Sequence, residues 1–425
     1  MIVMSKFFLK KNSNNKKILF LLFLYLTLIV SFFFGENSTG GAIKDYLNQK
    51  GISQKFSSNF FQTFYEYDNF STRHSPILII FLSFFEKINL PDFVIRLIHL
   101  HICLFLPLIF FKCLKLKFKG IDEKILLLLA ALIFLSPTFR SLSIWPDSRL
   151  FGLIFFSISI FYFLKFNENK KIKFVFLNVF FVALSSYLSP NFSVFSIFFI
   201  TKFISFYRFF SKEILIIILL NFILALPAFY YIFILDINFF LKSAAIGIEN
   251  NEKIIFNNLF NDILITFSII FFYLIPFLFL KIIKLNKILT IKNFLISLAI
   301  FLLCVLNFNY NYSYSGGGIF FKFSNFFFEN NYLFYFITLI SIYLVLPLIM
   351  NNYLNLLFFV LIIFNNPQYT LYHKYFDPFL LLTFFTIFNL NFNLNKIVYR
   401  KNYLYIFSYF VVFLIISNLK YLWKI

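Results

Sequence analysis

Long apolar runs separated by short polar connections make up most of this chain. Runs such as 18–34, 214–235 and 263–283 reach the roughly 20 residues that a helix needs to cross a hydrocarbon layer of about 30 Å. Similar runs recur from end to end, so the pattern predicts an all-α polytopic membrane protein with about 13 transmembrane helices. The predicted spans are 18–34, 93–111, 125–139, 150–166, 174–188, 192–207, 214–235, 263–283, 293–306, 332–350, 353–365, 379–390 and 403–419.

One polar segment interrupts this pattern. Residues 35–92 follow the first predicted span and hold six of the chain's seventeen carboxylates. Their apolar stretch, 76–90, would be about 22 Å long as a helix, which is too short to cross the layer. We therefore expect 76–90 to form a juxtamembrane helix, and all of 35–92 to form one long extracytoplasmic loop that carries the catalytic residues.

The basic residues indicate the orientation. If 76–90 does not cross the membrane, most Lys and Arg side chains fall in cytoplasmic loops, as the positive-inside rule requires. If it crosses, most of them fall outside. We therefore expect a single domain over 1–425, with a cytoplasmic basic tail at 1–17 and a helical bundle over 93–425. The expected location is the inner (plasma) membrane, with multiple passes and a cytoplasmic N-terminus.

Composition excludes other classes of protein. Hydrophobic residues make up 61% of the chain and charged residues 13%, which lies outside the range of soluble domains. The net charge of +21 is spread over short loops, so nucleic acid is not an expected partner. The three cysteines lie in or beside apolar runs without a CxxC pair, so we expect no disulfide framework and no metal site.

The long loop offers a candidate for acid–base chemistry. Asp45 follows Gly40-Gly41 shortly after the first span, which keeps it near the membrane surface. A carboxylate there could take the proton of an attacking hydroxyl as a general base; the alternative is a solvated loop acid. Glu66 and Asp68 are weaker candidates for auxiliary acids, because an i,i+2 pair shares a face only on extended chain.

A basic pair precedes the juxtamembrane helix. Arg73 and His74 stand just before Ser75-Pro76, where a phosphate could be held by the helix N-terminus and the guanidinium together. The alternative for Arg73 is contact with lipid headgroups.

Two later outer loops carry more ionisable side chains, namely Arg140, Asp147 and Arg149 in one, and His373, Lys374 and Asp377 in the other. Asp147 and Asp377 are further candidates for auxiliary acids. The first set could support a departing phosphate or order one another as ion pairs. The second set stands at the entry of a predicted span, and its density favours a phosphate site over a headgroup contact.

Two histidines lie within the second predicted span. His99 and His101 are spaced i,i+2 and do not share a helical face, which argues against a metal pair. We expect one of them to hydrogen-bond a neighbouring helix.

Four stretches together resemble a known family. They are Gly-Gly-Ala-Ile-Lys-Asp-Tyr at 40–46, Arg-His-Ser-Pro-Ile-Leu at 73–78, Phe-Val-Ile-Arg-Leu at 93–97 and Leu-Ser-Pro at 135–137. Over residues 1–170 the chain looks like the GT-C class of membrane glycosyltransferases, such as the protein mannosyltransferase and aminoarabinose transferase relatives. Family members often show adjacent acids in the first loop, whereas this chain has Asp45 with Tyr46 beside it.

The resemblance implies a reaction. The donor would be a polyprenyl-phosphate sugar, the acceptor a glycan, lipid or protein at the outer face, and the transfer would invert the anomeric carbon. Asp45 would deprotonate the acceptor, and cationic side chains (Arg73, His74, Arg149 or Lys374) would offset the charge of the departing phosphate. A divalent cation as cofactor is left open, and membrane lipids are the other expected partners.

Two other functions compete with this interpretation. A polysaccharide polymerase or ligase would typically carry a large late outer loop, whereas the largest insert here comes first. A transporter for lipid-linked sugars would place charged residues near the bilayer midplane and show repeated halves. Here the charges crowd the predicted outer boundary, which favours the transferase.

Overall fold

Helices account for nearly all of the structure. A computed structural model describes residues 14–70, 72, 75–235, 258–283, 290–312, 316–366 and 370–422. In these ranges no strand forms, and an isolated bridge pairs Ile283 with Phe392. The α-helices are α1 (Asn14–Phe33), α2 (Ala42–Ser58), α3 (Phe60–Tyr65), α4 (Pro76–Lys87), α5 (Asp92–Cys103), α6 (Phe105–Lys117), α7 (Glu123–Ala131), α8 (Pro137–Ile144), α9 (Ser148–Asn169), α10 (Ile172–Leu188), α11 (Ser196–Tyr207), α12 (Lys212–Phe229), α13 (Leu259–Phe279), α14 (Ile291–Leu306), α15 (Gly318–Phe328), α16 (Tyr332–Met350), α17 (Tyr353–Phe364), α18 (Phe379–Thr386) and α19 (Arg400–Leu422).

In the described ranges, six helical segments are long and apolar enough to cross a membrane. They are Asp92–Lys117, Ser148–Asn169, Lys212–Ile234, Leu259–Phe279, Tyr332–Met350 and Lys401–Lys420. A bent pair of helices would make a seventh. Shorter apolar helices at Leu19–Phe33, Ile172–Leu188, Ile291–Leu306 and Tyr353–Phe364 overlap further predicted spans. The lengths and compositions are therefore those of a polytopic membrane protein, and the total of about 13 spans stays a prediction.

The bent pair departs from the straight span predicted at 125–139. Glu123–Leu135 and Pro137–Ile144 meet at an angle of 64°. Ser136 is extended and its hydroxyl accepts from the Phe139 N–H at 2.9 Å, while Pro137 has no N–H to continue the preceding helix. The helix is therefore broken here, and α8 lies buried along its whole length.

The helix observed within the span predicted at 379–390 is shorter than that prediction. Helix α18 ends at Thr386, where the N–H groups of Ile387 and Phe388 both turn back to the Thr383 carbonyl, at 2.8 and 3.0 Å. An eight-residue helix reaches only about 12 Å.

The polar segment 35–92 folds into helices that pack on one another. Helix α4 begins with Pro76 in its first turn, where the fixed φ of proline suits a helix start. Its 12 residues reach about 18 Å, and it packs against α2. The prediction of a helix after Pro76 is confirmed. Its place beside the membrane stays a prediction, which the short length supports.

Contacts between connecting segments fall into two sets, one among segments predicted to be cytoplasmic and one among predicted outer loops. Lys117 Nζ donates to Asn389 Oδ1 at 2.7 Å, and Asn393 N–H donates to the Ile282 carbonyl at 2.9 Å. These residues all belong to predicted cytoplasmic connections or their margins. The predicted outer loops also contact one another, for example through the ion pair between Lys374 and Asp45. The contacts thus agree with the grouping read from the sequence, while the side that each group faces stays a prediction.

Candidate active site

Asp45 and Lys374, which were predicted separately as a base and a phosphate ligand, meet in the structure. Lys374 Nζ lies 2.7 Å from Asp45 Oδ2. The side chain of Lys374 is 18% exposed and that of Asp45 is 27% exposed. The pair is therefore partly shielded from solvent and still accessible. The ion pair joins the first long loop to the segment before α18.

A turn before α2 fixes the position of Asp45. Gly40 has φ of +78°, a conformation that side chains with a Cβ rarely adopt. Asp45 then lies in the first turn of α2, where the helix dipole favours a negative charge. The turn is fastened to α8 because the Ser38 hydroxyl donates to the Pro137 carbonyl at 2.8 Å.

The backbone of Leu371 holds the segment that carries Lys374. The Leu371 carbonyl accepts from the Gly317 N–H at 2.9 Å, and the Leu371 N–H donates to the Tyr310 hydroxyl at 3.3 Å. Gly317 has φ of +82°, a conformation that glycine adopts more readily than residues with a Cβ. The loop before α15, which is predicted to lie outside, therefore docks on the segment that carries the lysine.

His373, another predicted phosphate ligand, turns its ring into the bundle. The ring stacks on Tyr273 with centroids 5.6 Å apart, and Nε2 lies 3.0 Å from the Tyr273 hydroxyl. Burial lowers the pKa of His373 to about 4, so the imidazole is neutral at pH 7. A neutral ring attracts an anion weakly, and the ring packs against Tyr273. Phosphate binding by His373 stays a prediction.

Arg149 adds a second cation. Its guanidinium carbon lies 3.6 Å from the centroid of the Tyr375 ring, a cation–π contact. Burial, the largest single effect, tends to lower the pKa of Lys374, but the negative charge of Asp45 together with the smaller effects of Asp147 and Tyr375 raises the pKa overall. Arg149 acts to lower that pKa and Asp147 to raise it. Two cations and two carboxylates thus interact in this region, and their formal charges balance.

Two of the predicted auxiliary acids serve as helix caps. Asp147 is buried and accepts from the Arg149 N–H at 2.8 Å, which caps α9. Asp377 is buried, and its Oδ2 accepts from the Ser136 hydroxyl at 2.6 Å and from the Thr138 N–H at 3.0 Å. A carboxylate at a helix N-terminus satisfies free N–H groups and complements the dipole.

Arg140 forms a buried ion pair. Its Nε lies 2.9 Å from Glu36 Oε2, and the side chains are only 6% and 7% exposed. Its Nη2 also donates to the Thr27 carbonyl at 3.1 Å. From the sequence, Arg140 is either a ligand for phosphate or a member of an ion pair within its own loop. The structure gives it a partner in the first loop instead, and binding to a phosphate stays a prediction.

The remaining candidates make other contacts or lie outside the described residues. Arg73 and His74 lie outside the described residues. Glu66 is exposed and accepts from Gln62 Nε2 at 3.2 Å. Asp68 lies in the 3-10 turn Tyr67–Phe70. Their roles stay predictions.

Among the described residues, no three His, Cys, Asp or Glu side chains gather as a metal site would require.

The two histidines of the second predicted span form hydrogen bonds with neighbouring helices. His99 Nε2 lies 2.9 Å from the Leu142 carbonyl, and His101 Nε2 lies 2.9 Å from the Tyr25 hydroxyl. The expected helix-to-helix hydrogen bond is therefore confirmed.

No family model, curated protein or solved structure matches this chain. The likeness to GT-C transferases therefore depends on the quoted residues, and any function must be argued from the site.

The sequence did not reveal a polar network beside Asp45. Asp92 accepts from the Tyr46 hydroxyl at 2.6 Å and from Lys50 Nζ at 2.7 Å, and Arg96 lies 3.6 Å from the Trp145 ring centroid. Two i,i+4 spacings, Tyr46 to Lys50 and Asp92 to Arg96, signalled shared helix faces. Nothing local indicated that those two faces meet.

Proposed function

We propose that this protein is a membrane glycosyltransferase that moves a sugar from a polyprenyl-phosphate donor to an acceptor hydroxyl at the outer membrane face. The observation that carries the proposal is the Asp45–Lys374 pair. A candidate base and a candidate phosphate ligand, 329 residues apart in sequence, lie within one ion pair. An isolated solvated acid would have no such partner.

Asp45 is the base in this mechanism. The carboxylate takes the proton of the acceptor hydroxyl, and the oxygen attacks the anomeric carbon on the face opposite the phosphate. The bond from that carbon to the phosphate oxygen breaks, and the electron pair leaves with the polyprenyl phosphate. Because this is a single displacement with attack opposite the departing phosphate, the anomeric configuration inverts.

Lys374 connects donor binding to the release of the base. Its ammonium engages Asp45 at 2.7 Å, so the carboxylate is occupied until another anion competes for the lysine. A donor phosphate supplies that anion, and Arg149 beside Tyr375 adds a planar donor group suited to phosphate oxygens. The exchange frees Asp45 when a donor is present, and the two cations then offset charge that develops on the leaving phosphate.

The test replaces the base. Asp45→Asn keeps the shape of the side chain and removes the proton acceptor, so transfer should fall by about 10² to 10⁴-fold, the usual contribution of a general base. The assay compares lipid-linked sugars in membranes from cells that lack the protein and carry either the wild type or the variant. The donor should accumulate with Asp45→Asn while the protein level is unchanged.

Glu86→Gln is the matched control, because it neutralises another acid of residues 35–92, near the end of α4, and should leave transfer intact. Full activity of Asp45→Asn would move the base to Glu66 or Asp68, or remove the mechanism. Unchanged lipid-linked sugars in cells that lack the protein would contradict the transferase proposal itself.

A further inference from the structure

The short helix α8 contacts both halves of the proposed site. On the side of Asp45, the Ser38 hydroxyl donates to the Pro137 carbonyl at 2.8 Å, and the hydroxyls of Thr39 and Ser141 lie 3.1 Å apart. Both contacts hold the turn that leads into α2. The N-terminal end of α8 is thus one neighbour of the base.

The same end of α8 holds the segment of Lys374 through Asp377. The Asp377 carboxylate accepts from Ser136 and Thr138 at 2.6 and 3.0 Å. The Asp377 N–H donates to the His373 carbonyl at 3.1 Å, so a single turn of chain connects the anchored carboxylate to the lysine. The placement of Lys374 therefore depends on where Asp377 is bound.

Helix α8 is itself held at its other end. His99 Nε2 lies 2.9 Å from the Leu142 carbonyl, and Arg96 Nε donates to the Ile144 carbonyl at 3.2 Å. An anion at the N-terminus and a cation at the C-terminus both complement the dipole of this helix. Its position in the bundle is therefore fixed by side chains from several other segments.

We propose that Asp377 is a positioning residue which, through α8, sets the distance between Lys374 and Asp45. This inference rests on the proposed function. Asp377 is 3% exposed, and its Oδ2 accepts from the Ser136 hydroxyl and the Thr138 N–H, in the cap and first turn of α8. It therefore acts on the reaction through Lys374 and not on the substrate. The sequence offered it as an auxiliary acid, and the geometry assigns it a different task.

The test measures a distance and needs no substrate. With the three native cysteines replaced by alanine, spin labels are attached to Lys44→Cys and Tyr372→Cys, which lie one and two residues from the ion pair. Pulsed electron paramagnetic resonance on the full chain in lipid nanodiscs then gives the distance distribution. A narrow distribution is expected for the parent, and a distribution at least twice as wide is expected for Asp377→Ala.

Two matched variants separate positioning from general stability. Asp377→Asn keeps an oxygen that can accept from Ser136 and Thr138, so its distribution should stay narrow. Thr383→Ala removes a buried hydroxyl that bonds the carbonyls of Phe379 and Leu380 in its own helix, and it should also stay narrow.

The proposal is overturned if Asp377→Ala keeps the parent distribution, or if Asp377→Asn or Thr383→Ala broadens it equally. If Asp377→Ala does not fold, Ser136→Ala must broaden the distribution, because it removes one of the two donors; an unchanged distribution there overturns the proposal as well. Since no sugar transfer is measured, this outcome is distinct from failure of the proposed function, which Asp45→Asn tests separately.

Discussion

Three aspartates show how one residue type takes different tasks. Asp45 forms an accessible ion pair, whereas Asp147 and Asp377 cap helices. The cap at Asp147 has a local signal, since Asp is favoured directly before a helix start. The cap at Asp377 has none, because the helix that it caps lies more than 200 residues earlier. The sequence therefore predicted Asp147 and Asp377 as auxiliary acids, whereas both act as helix caps in the structure.

The buried pair of Arg140 and Glu36 leads to a stability prediction. Arg140→Met should lower the free energy of unfolding by about 3–5 kcal/mol, because it leaves the Glu36 carboxylate buried without its cation. The measurement is the thermal or denaturant midpoint of the purified protein in detergent.

A second variant checks the cause. Arg140→Met combined with Glu36→Leu removes both charges and should recover most of the loss. If the double variant is as unstable as Arg140→Met alone, the ion pair is not the reason for the effect.

At the scale of elements, apolar periodicity predicts helices well and their breaks poorly. The helix after Pro76 and most of the long spans appear where the pattern places them. The span predicted at 125–139 runs across the break at Ser136, although Ser-Pro is a typical helix boundary. The break matters because it creates α8, to which both halves of the candidate site are attached.

The glycines of the outer loop give a prediction at this scale. Gly316 has φ of +94°, and a Cβ there would lie 2.3 Å from the Leu371 carbonyl oxygen. Gly316→Ala should therefore lower the unfolding midpoint and weaken the docking of this loop beside Lys374.

The matched control is Gly51→Ala within α2. A Cβ at Gly51 meets nothing within 4 Å, so this change should stabilise the protein by about 0.5–1 kcal/mol, as alanine does within helices. Equal effects of the two substitutions on the unfolding midpoint would show that close approach to Leu371 does not constrain Gly316.

At the scale of the whole molecule, the candidate site combines segments from both ends of the chain. The first long loop supplies Asp45, the first turn of α9 supplies Arg149, and the segment before α18 supplies Lys374. This gathering is the outcome that the predicted topology requires, because all three lie in loops predicted to be extracytoplasmic. If α4 crossed the membrane, residues 35–92 would be divided between the two faces, contrary to the prediction.

Labelling tests the orientation. In a cysteine-free background, Lys44→Cys should react with a membrane-impermeant maleimide added to the outer face of intact membranes, because it is exposed in the first loop. Lys119→Cys, at a side chain that is 65% exposed, should react only after permeabilisation. Outer labelling of Lys119→Cys, or labelling of both from the same face, would contradict the assigned topology.

The sequence by itself determined the class of protein, the main helices and the placement of Asp45 shortly after the first span. These features depend on local hydrophobicity and on residues close together in the chain. Only the tertiary structure decided that Lys374 is the partner of Asp45, that Arg140 is the partner of Glu36 and that Asp377 caps α8. Such pairs form when helices distant in sequence pack together, and periodicity says which face of a helix is apolar without saying which other helix covers it.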